Sequence, residues 1–130
     1  MNPQIKFARL VFLIAGIWGF LIVTPLYFLF DAIGQNDPPP ITHPAFFYGF
    51  AGVALAWQVA FFIIAKDPAR HRPIMIPSFL EKIGYGGAVV ILFVQGRMPP
   101  ADLVFGLADL LLAALFVAAY RRTAPKNATA

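Results

Sequence analysis

Four apolar runs, Leu10–Phe30, Ala45–Ala65, Phe79–Gln95 and Leu103–Ala119, fill most of this chain and leave no stretch long enough for a water-soluble core. Each run is roughly 17–21 residues, which at ~1.5 Å rise per residue matches a hydrocarbon slab about 30 Å thick. The sequence therefore predicts an all-α polytopic membrane protein: one four-helix transmembrane bundle over residues 1–130. Its helices fall at about 8–31, 44–65, 78–96 and 101–120. Hydrophobic residues make up 60% of the chain and charged residues 12%, so a soluble fold would have to expose large apolar patches. The first run is longer than the roughly 7–15 residues of a signal-peptide core and lacks a small-x-small cleavage site, so it reads as a retained helix.

Charge placement predicts orientation. Lys6 and Arg9 precede the first run, Lys66, Arg70 and Arg72 separate the second from the third, and Arg121, Arg122 and Lys126 follow the fourth. The alternate segments hold Arg97 with Asp31, Asp37 and Asp102. Short loops rich in Lys and Arg stay in the cytoplasm, so both termini are expected there, in a cytoplasmic (inner) membrane with the lipid bilayer as surroundings. The formal charge of +4 is then a topology signal and no nucleic-acid partner is expected.

The first outer segment, Asp31–His43, reads as a turn at Gly34-Gln35-Asn36-Asp37 followed by the stiff Pro38-Pro39-Pro40. His43 with Asp31 and Asp37 offers three scattered metal ligands, but His43 ahead of Pro44 fits a helix start better. No metal and no cofactor is expected: cysteine is absent, and the chain has no phosphate loop or dinucleotide fingerprint. His43 and His71 lie at run boundaries, which also argues against a haem or di-metal site within the membrane. Ser78-Phe79-Leu80-Glu81 has the form of a capping box, giving Glu81 a structural task at a helix start. Lys82 then snorkels to the cytoplasmic interface. The tail after Tyr120 reads as short and disordered.

Periodicity separates the helix faces. In the fourth run Asp102, Gly106, Asp109, Ala113, Phe116 and Tyr120 share one stripe, and Val104, Leu107, Leu111, Leu115 and Ala118 share the opposite, lipid-facing one. Asp109 falls near the bilayer midplane, where an ionised carboxylate is costly and normally faces protein or a water-filled cavity. Gln58 is its first-choice partner, because helical side chains lean toward their own N-terminus and Gln58 leans toward the Asp109 level. Trp18, Tyr85 and Glu81 complete the candidate ligand-binding set, Glu81 and Tyr85 lying on one stripe of the third run with Ala88, Leu92 and Gln95. Gly49, Gly52, Ala56 and Ala60 form a small-residue stripe on the second run that suits helix packing, within the chain or in a homo-oligomer. Gly84 and Gly87, with Gly86, and Gly106 on the fourth run are further close-packing positions. Pro25 removes a backbone donor from the first run and predicts a kink that Thr24 relieves. Fourteen Phe, including Phe28, Phe30, Phe46 and Phe47, are either lipid-facing bulk or the walls of a pocket for a flat apolar ligand.

The stretch Thr42-His43-Pro44-Ala45-Phe46-Phe47-Tyr48-Gly49-Phe50, with Ala56-Trp57-Gln58, Arg72-Pro73-Ile74-Met75-Ile76-Pro77 and Leu80-Glu81-Lys82, resembles uncharacterised small bacterial four-helix membrane proteins. More loosely, the chain is similar to DoxX-type four-helix proteins. The resemblance implies the fold and brings no activity or site residues. Three functional classes follow. A non-enzymatic scaffold or accessory subunit of a larger membrane complex, or a binder of a lipophilic molecule between the helices, asks least of the sequence. An oligomeric proton-coupled small transporter using Asp109 is the second, and a membrane enzyme on a lipid or isoprenoid, with Glu81, Tyr85 and Asp109 as acid–base groups, is the third. The absence of a recognisable catalytic motif weighs against the enzyme.

Overall fold

A computed structural model describes residues 1–125. Lys126, counted among the basic residues of the tail, lies outside them. Helix α1 spans Pro3–Val23, α2 Leu26–Asn36, α3 Pro44–Lys66, α4 Met75–Val94 and α5 Leu103–Arg122. Single 3₁₀ turns at Arg72–Ile74 and Pro100–Asp102 lead into α4 and α5. Counting those turns, four helices are long and apolar enough to cross a membrane: Pro3–Val23, Pro44–Lys66, Arg72–Val94 and Pro100–Arg122. The chain is thus a multi-pass four-helix bundle.

Local chemistry sets the helix ends. Asn2 caps α1 by accepting the Gln4 amide at 2.9 Å, with Pro3 in the first turn where its missing donor costs nothing. Pro25 ends α1, as its ring and lost N–H predict, and α2 restarts at once on Thr24 and Pro25 carbonyls. The segment after the break departs from expectation. Helix persists through Gly34 and Gln35 to Asn36, because Gly34 offers a surface without a side chain against which Pro40 folds back; a Cβ there would lie 3.1 Å from the Pro40 Cα. At the far end of α4, Gly96 takes φ +66° and the Arg97 amide reaches the Leu92 carbonyl at 2.9 Å, a Schellman closure that turns the chain directly into α5.

Two expectations at the start of α4 are overturned. The helix begins at Met75, so Ser78 lies inside it, fully buried, and its hydroxyl donates to the Ile74 carbonyl at 2.7 Å. Ser78 caps nothing, and Glu81 is free for other work. Pro77 falls in the first turn, where the amides have no intrahelical acceptor, so it does not delay the start. The tail beyond Tyr120 is also more ordered than expected up to Thr123, which is buried and donates to the Ala119 carbonyl at 2.8 Å.

The helices pack as two antiparallel pairs, α1 with α3 and α4 with α5, joined across α1 and α5, while α3 and α4 share little surface. The start of α1 and the end of α5 lie at one end, where the Arg122 guanidinium stands 4.2 Å above the Phe7 ring. In that half of the bundle Phe12, Phe61 and Phe116 fill the axis: Phe12 stacks on Phe116 at 4.2 Å between centroids, and Phe61 meets Phe116 edge-on at 5.0 Å. All three are fully buried, with Ala8, Ala15, Ile64 and Met75 around them. Arg72 pins the ends of α4 and α5 together, its Nε donating to the Tyr120 carbonyl at 3.0 Å and its guanidinium lying 3.7 Å from that residue's ring.

Candidate functional site

Above the aromatic plug the bundle opens into a cavity of about 370 Å³ bounded by all five helices and open to the outer surface beside the exposed Leu21, Leu29 and Phe50. The division along each chain segment is sharp. On α3, Phe61, Ile64 and Ala65 belong to the packed half, whereas Gln58, Ala54 and Phe50 line the cavity. On α5, Leu112, Phe116 and Ala119 are plug residues, and Asp109 and Phe105 are wall.

Asp109 faces this interior, and its partner is Lys82, a residue expected at the interface. The Lys82 ammonium lies 3.3 Å from Asp109 Oδ1 and 3.4 Å from Glu81 Oε2, and the residue is 6% exposed. It also stands 5.5 Å from the centroid of the Phe61 ring, so it ties α4 to α5 and rests on the plug. Two errors in the reading by depth have one cause. The buried stripe of α4 is Met75, Ser78, Lys82, Gly86 and Val89, one position along from the expected stripe through Glu81, Tyr85 and Ala88, a rotation of about 100°. That rotation brings Lys82 inward and puts Gly86 at the α5 contact. A Cβ on Gly86 would lie 2.8 Å from the Gly106 carbonyl oxygen, whereas Gly84 and Gly87, expected at the contact, face open space. Gly106 itself packs against Val89.

The Lys82 pairing follows from the hairpin. The Arg72–Tyr120 contact fixes the register of α4 against α5, and the ten positions from Arg72 to Lys82 run alongside the eleven from Tyr120 back to Asp109. A short link between two antiparallel helices carries that information in the sequence, since residues equidistant from the turn must face one another at similar height. Counting depth from hydrophobic boundaries concealed it.

Gln58 does not bond to Asp109. Its Nε2 donates to the Ala54 carbonyl one turn back at 2.8 Å, and its Oε1 has no hydrogen-bond partner although the residue is 1% exposed. Gly19 makes this pose feasible: a side chain there would overlap the Gln58 amide, so α1 offers a notch into which Gln58 fits. Nothing in the sequence periodicity marked Gly19. Trp18 and Tyr85 are also wall residues, and Tyr85 stacks on Phe50 at 5.9 Å. Trp18, Gln58, Glu81, Tyr85 and Asp109 thus border one space. The small-residue stripe of α3 lies elsewhere: Gly49 and Ala56 are exposed, Ala60 is half-buried, and Gly52 approaches the Tyr27 hydroxyl. At the end away from the termini, Tyr27 and Phe30 of α2 pack on Phe47 and Tyr48 of α3. His43, at the α3 start, has its Nδ1 2.8 Å from the Thr42 hydroxyl.

No protein-family model matches the chain, and neither the curated proteins nor the solved structures contain a match to it.

Proposed function

We propose that this protein binds a small lipophilic molecule inside its helix bundle, in a cytoplasmic membrane with both termini in the cytoplasm. The cavity carries the proposal. A scaffold bundle gains from close packing throughout, because each unfilled volume forfeits contacts, yet here one end is filled by the aromatic plug while the other packs only the small cluster of Val23, Ala51 and Ala54 beside an unfilled pocket. Its volume falls within the roughly 300–1,000 Å³ of small-molecule sites, and an apolar wall with a few converging polar groups is their usual composition. Native mass spectrometry of the protein released from nanodiscs tests this. A retained small molecule is expected, lost in Ala54→Phe, which fills the cavity, and kept in Ala56→Phe, which points outward. Retention in neither the parent protein nor the outward variant sinks the reading. For orientation, single cysteines at Gln35 and Ala124 should label from opposite sides of the membrane.

A second reading, a proton-coupled carrier, is favoured by one observation: Asp109 and Glu81 share a single ammonium, so one carboxylate is available to exchange a proton. Uptake into proteoliposomes that collapses in Asp109→Asn, with binding retained, distinguishes it from passive binding. The exposed stripe through Gly49 and Ala56 is the face on which a second copy or a larger membrane complex would pack.

A further inference from the structure

The charges lining the cavity do not balance. Lys82 supplies one ammonium against the carboxylates of Glu81 and Asp109, and no other lining residue is charged, which leaves a net charge of minus one when all three are ionised. Lys82 is shared between them: its contacts of 3.3 and 3.4 Å exceed the ~2.7–2.9 Å of a full charge-assisted bond, so neither carboxylate is saturated.

Hydrogen-bonding capacity points the same way. Among the described residues the buried side-chain atoms short of a hydrogen bond are both acceptors: Gln58 Oε1, enclosed against Gly19, and Glu81 Oε2, which shares the Lys82 ammonium at 3.4 Å. The Gln58 amide cannot be turned round to remove the deficit, because the atom 2.8 Å from the Ala54 carbonyl must be the donor. What is unmet is therefore positive charge and donated hydrogen. The walls add aromatic faces at Trp18, Phe50, Tyr85 and Phe105, surfaces that attract cations as well as apolar groups.

Resting on the reading of the cavity as a binding site, we infer that its guest is a lipophilic ammonium: a protonated amine on an apolar body, with its N–H groups directed to the carboxylates of Glu81 and Asp109. An anionic amphiphile would find Lys82 already flanked by two carboxylates. A neutral alcohol would donate one hydrogen bond and leave the charge uncompensated.

Three probes of one shape, phenylbutylamine, phenylbutanol and phenylbutyrate, separate these guests when titrated by calorimetry against the full chain in nanodiscs of neutral phosphatidylcholine. The amine is expected to bind at least about tenfold more tightly than the alcohol, the advantage of one charge-assisted hydrogen bond over a neutral one, with the acid weakest. Glu81→Gln, which keeps the Lys82–Asp109 pair, should reduce the amine preference, and Glu81→Gln with Asp109→Asn should abolish it while alcohol binding persists. Equal affinity for amine and alcohol, preference for the acid, or an amine preference that survives the double substitution overturns the ammonium assignment and leaves the lipophilic site standing. Failure of all three probes to bind the parent protein overturns both.

Discussion

The two halves of the bundle are built from the same helices and differ in what those helices bring to the axis. At the end holding the termini, Phe12, Phe61 and Phe116 come from three helices to one level and exclude any space. One or two turns further along the same helices, α1 presents Trp18 and Gly19, α3 presents Gln58 and Ala54, and α5 presents Asp109, around an open volume. The contrast teaches that burial here is decided by side-chain size at a level and not by apolarity along a helix. Large rings meeting at the axis close it. Small residues, with polar groups drawn to one side by the shared Lys82 ammonium, leave it open. Lys82 marks the boundary, with Phe61 on one side and the cavity on the other.

Removing the plug should have the largest effect. Phe61→Ala is expected to cost about 3–5 kcal/mol, the usual range for a fully buried ring, in denaturant unfolding of the reconstituted protein. Phe50→Ala, at the cavity wall, should cost less than half of that, and equal costs would erase the distinction between the halves. Next, Lys82→Met strands two carboxylates and should cost about 3 kcal/mol, toward the lower end for breaking a buried pair because both carboxylates are only partly buried. Asp109→Asn leaves Lys82 its Glu81 partner and should cost roughly 1 kcal/mol by the same assay. Gly19→Ala would sharpen the comparison further: displacing Gln58 should lower stability by about 1–3 kcal/mol, an overpacking cost, and shrink the cavity's capacity for guests. The smallest effect is expected for Gly84→Ala, where open space lets the methyl add helix propensity, so a gain of up to about 0.5–1 kcal/mol should appear. A loss at Gly84 exceeding that at Gly86→Ala would place the α4 contact face where periodicity first put it.

Much of the architecture was legible because it rests on quantities that a sequence carries explicitly. The four spans follow from run length, an interruption at Pro25 from its ring although it divides the run into two helices and does not merely kink one, the start of α3 from Pro44, and part of the outward face of α5 from its aliphatic stripe, where Val104, Leu107 and Leu111 are exposed but Leu115 packs against the core. Asp109 was singled out by depth. Its surroundings are not legible in the same way, because depth along a helix does not say which face turns inward. Ser78 is no cap because α4 already begins at Met75, whereas Lys82, Gly84 and Gly87 fall elsewhere because α4 turns the face through Lys82 and Gly86 toward α5. A rotation of about 100° leaves a helix's hydrophobicity unchanged and alters every neighbour relation.

By itself, then, the sequence determined the number of membrane-spanning helices, the position of their main interruption and the presence of a carboxylate deep among apolar residues, because hydropathy and proline chemistry act locally. Only the tertiary structure decided that Lys82 turns inward to that carboxylate, that Gly86 carries the α4–α5 contact, that Gly19 receives Gln58, and that the bundle is filled at one end and open at the other. Those outcomes depend on helix register and rotation. Most side chains on these helices are apolar, so hydrophobicity alone scarcely distinguishes one rotation from the next, and the choice falls to ring size, glycine contacts and one shared ammonium.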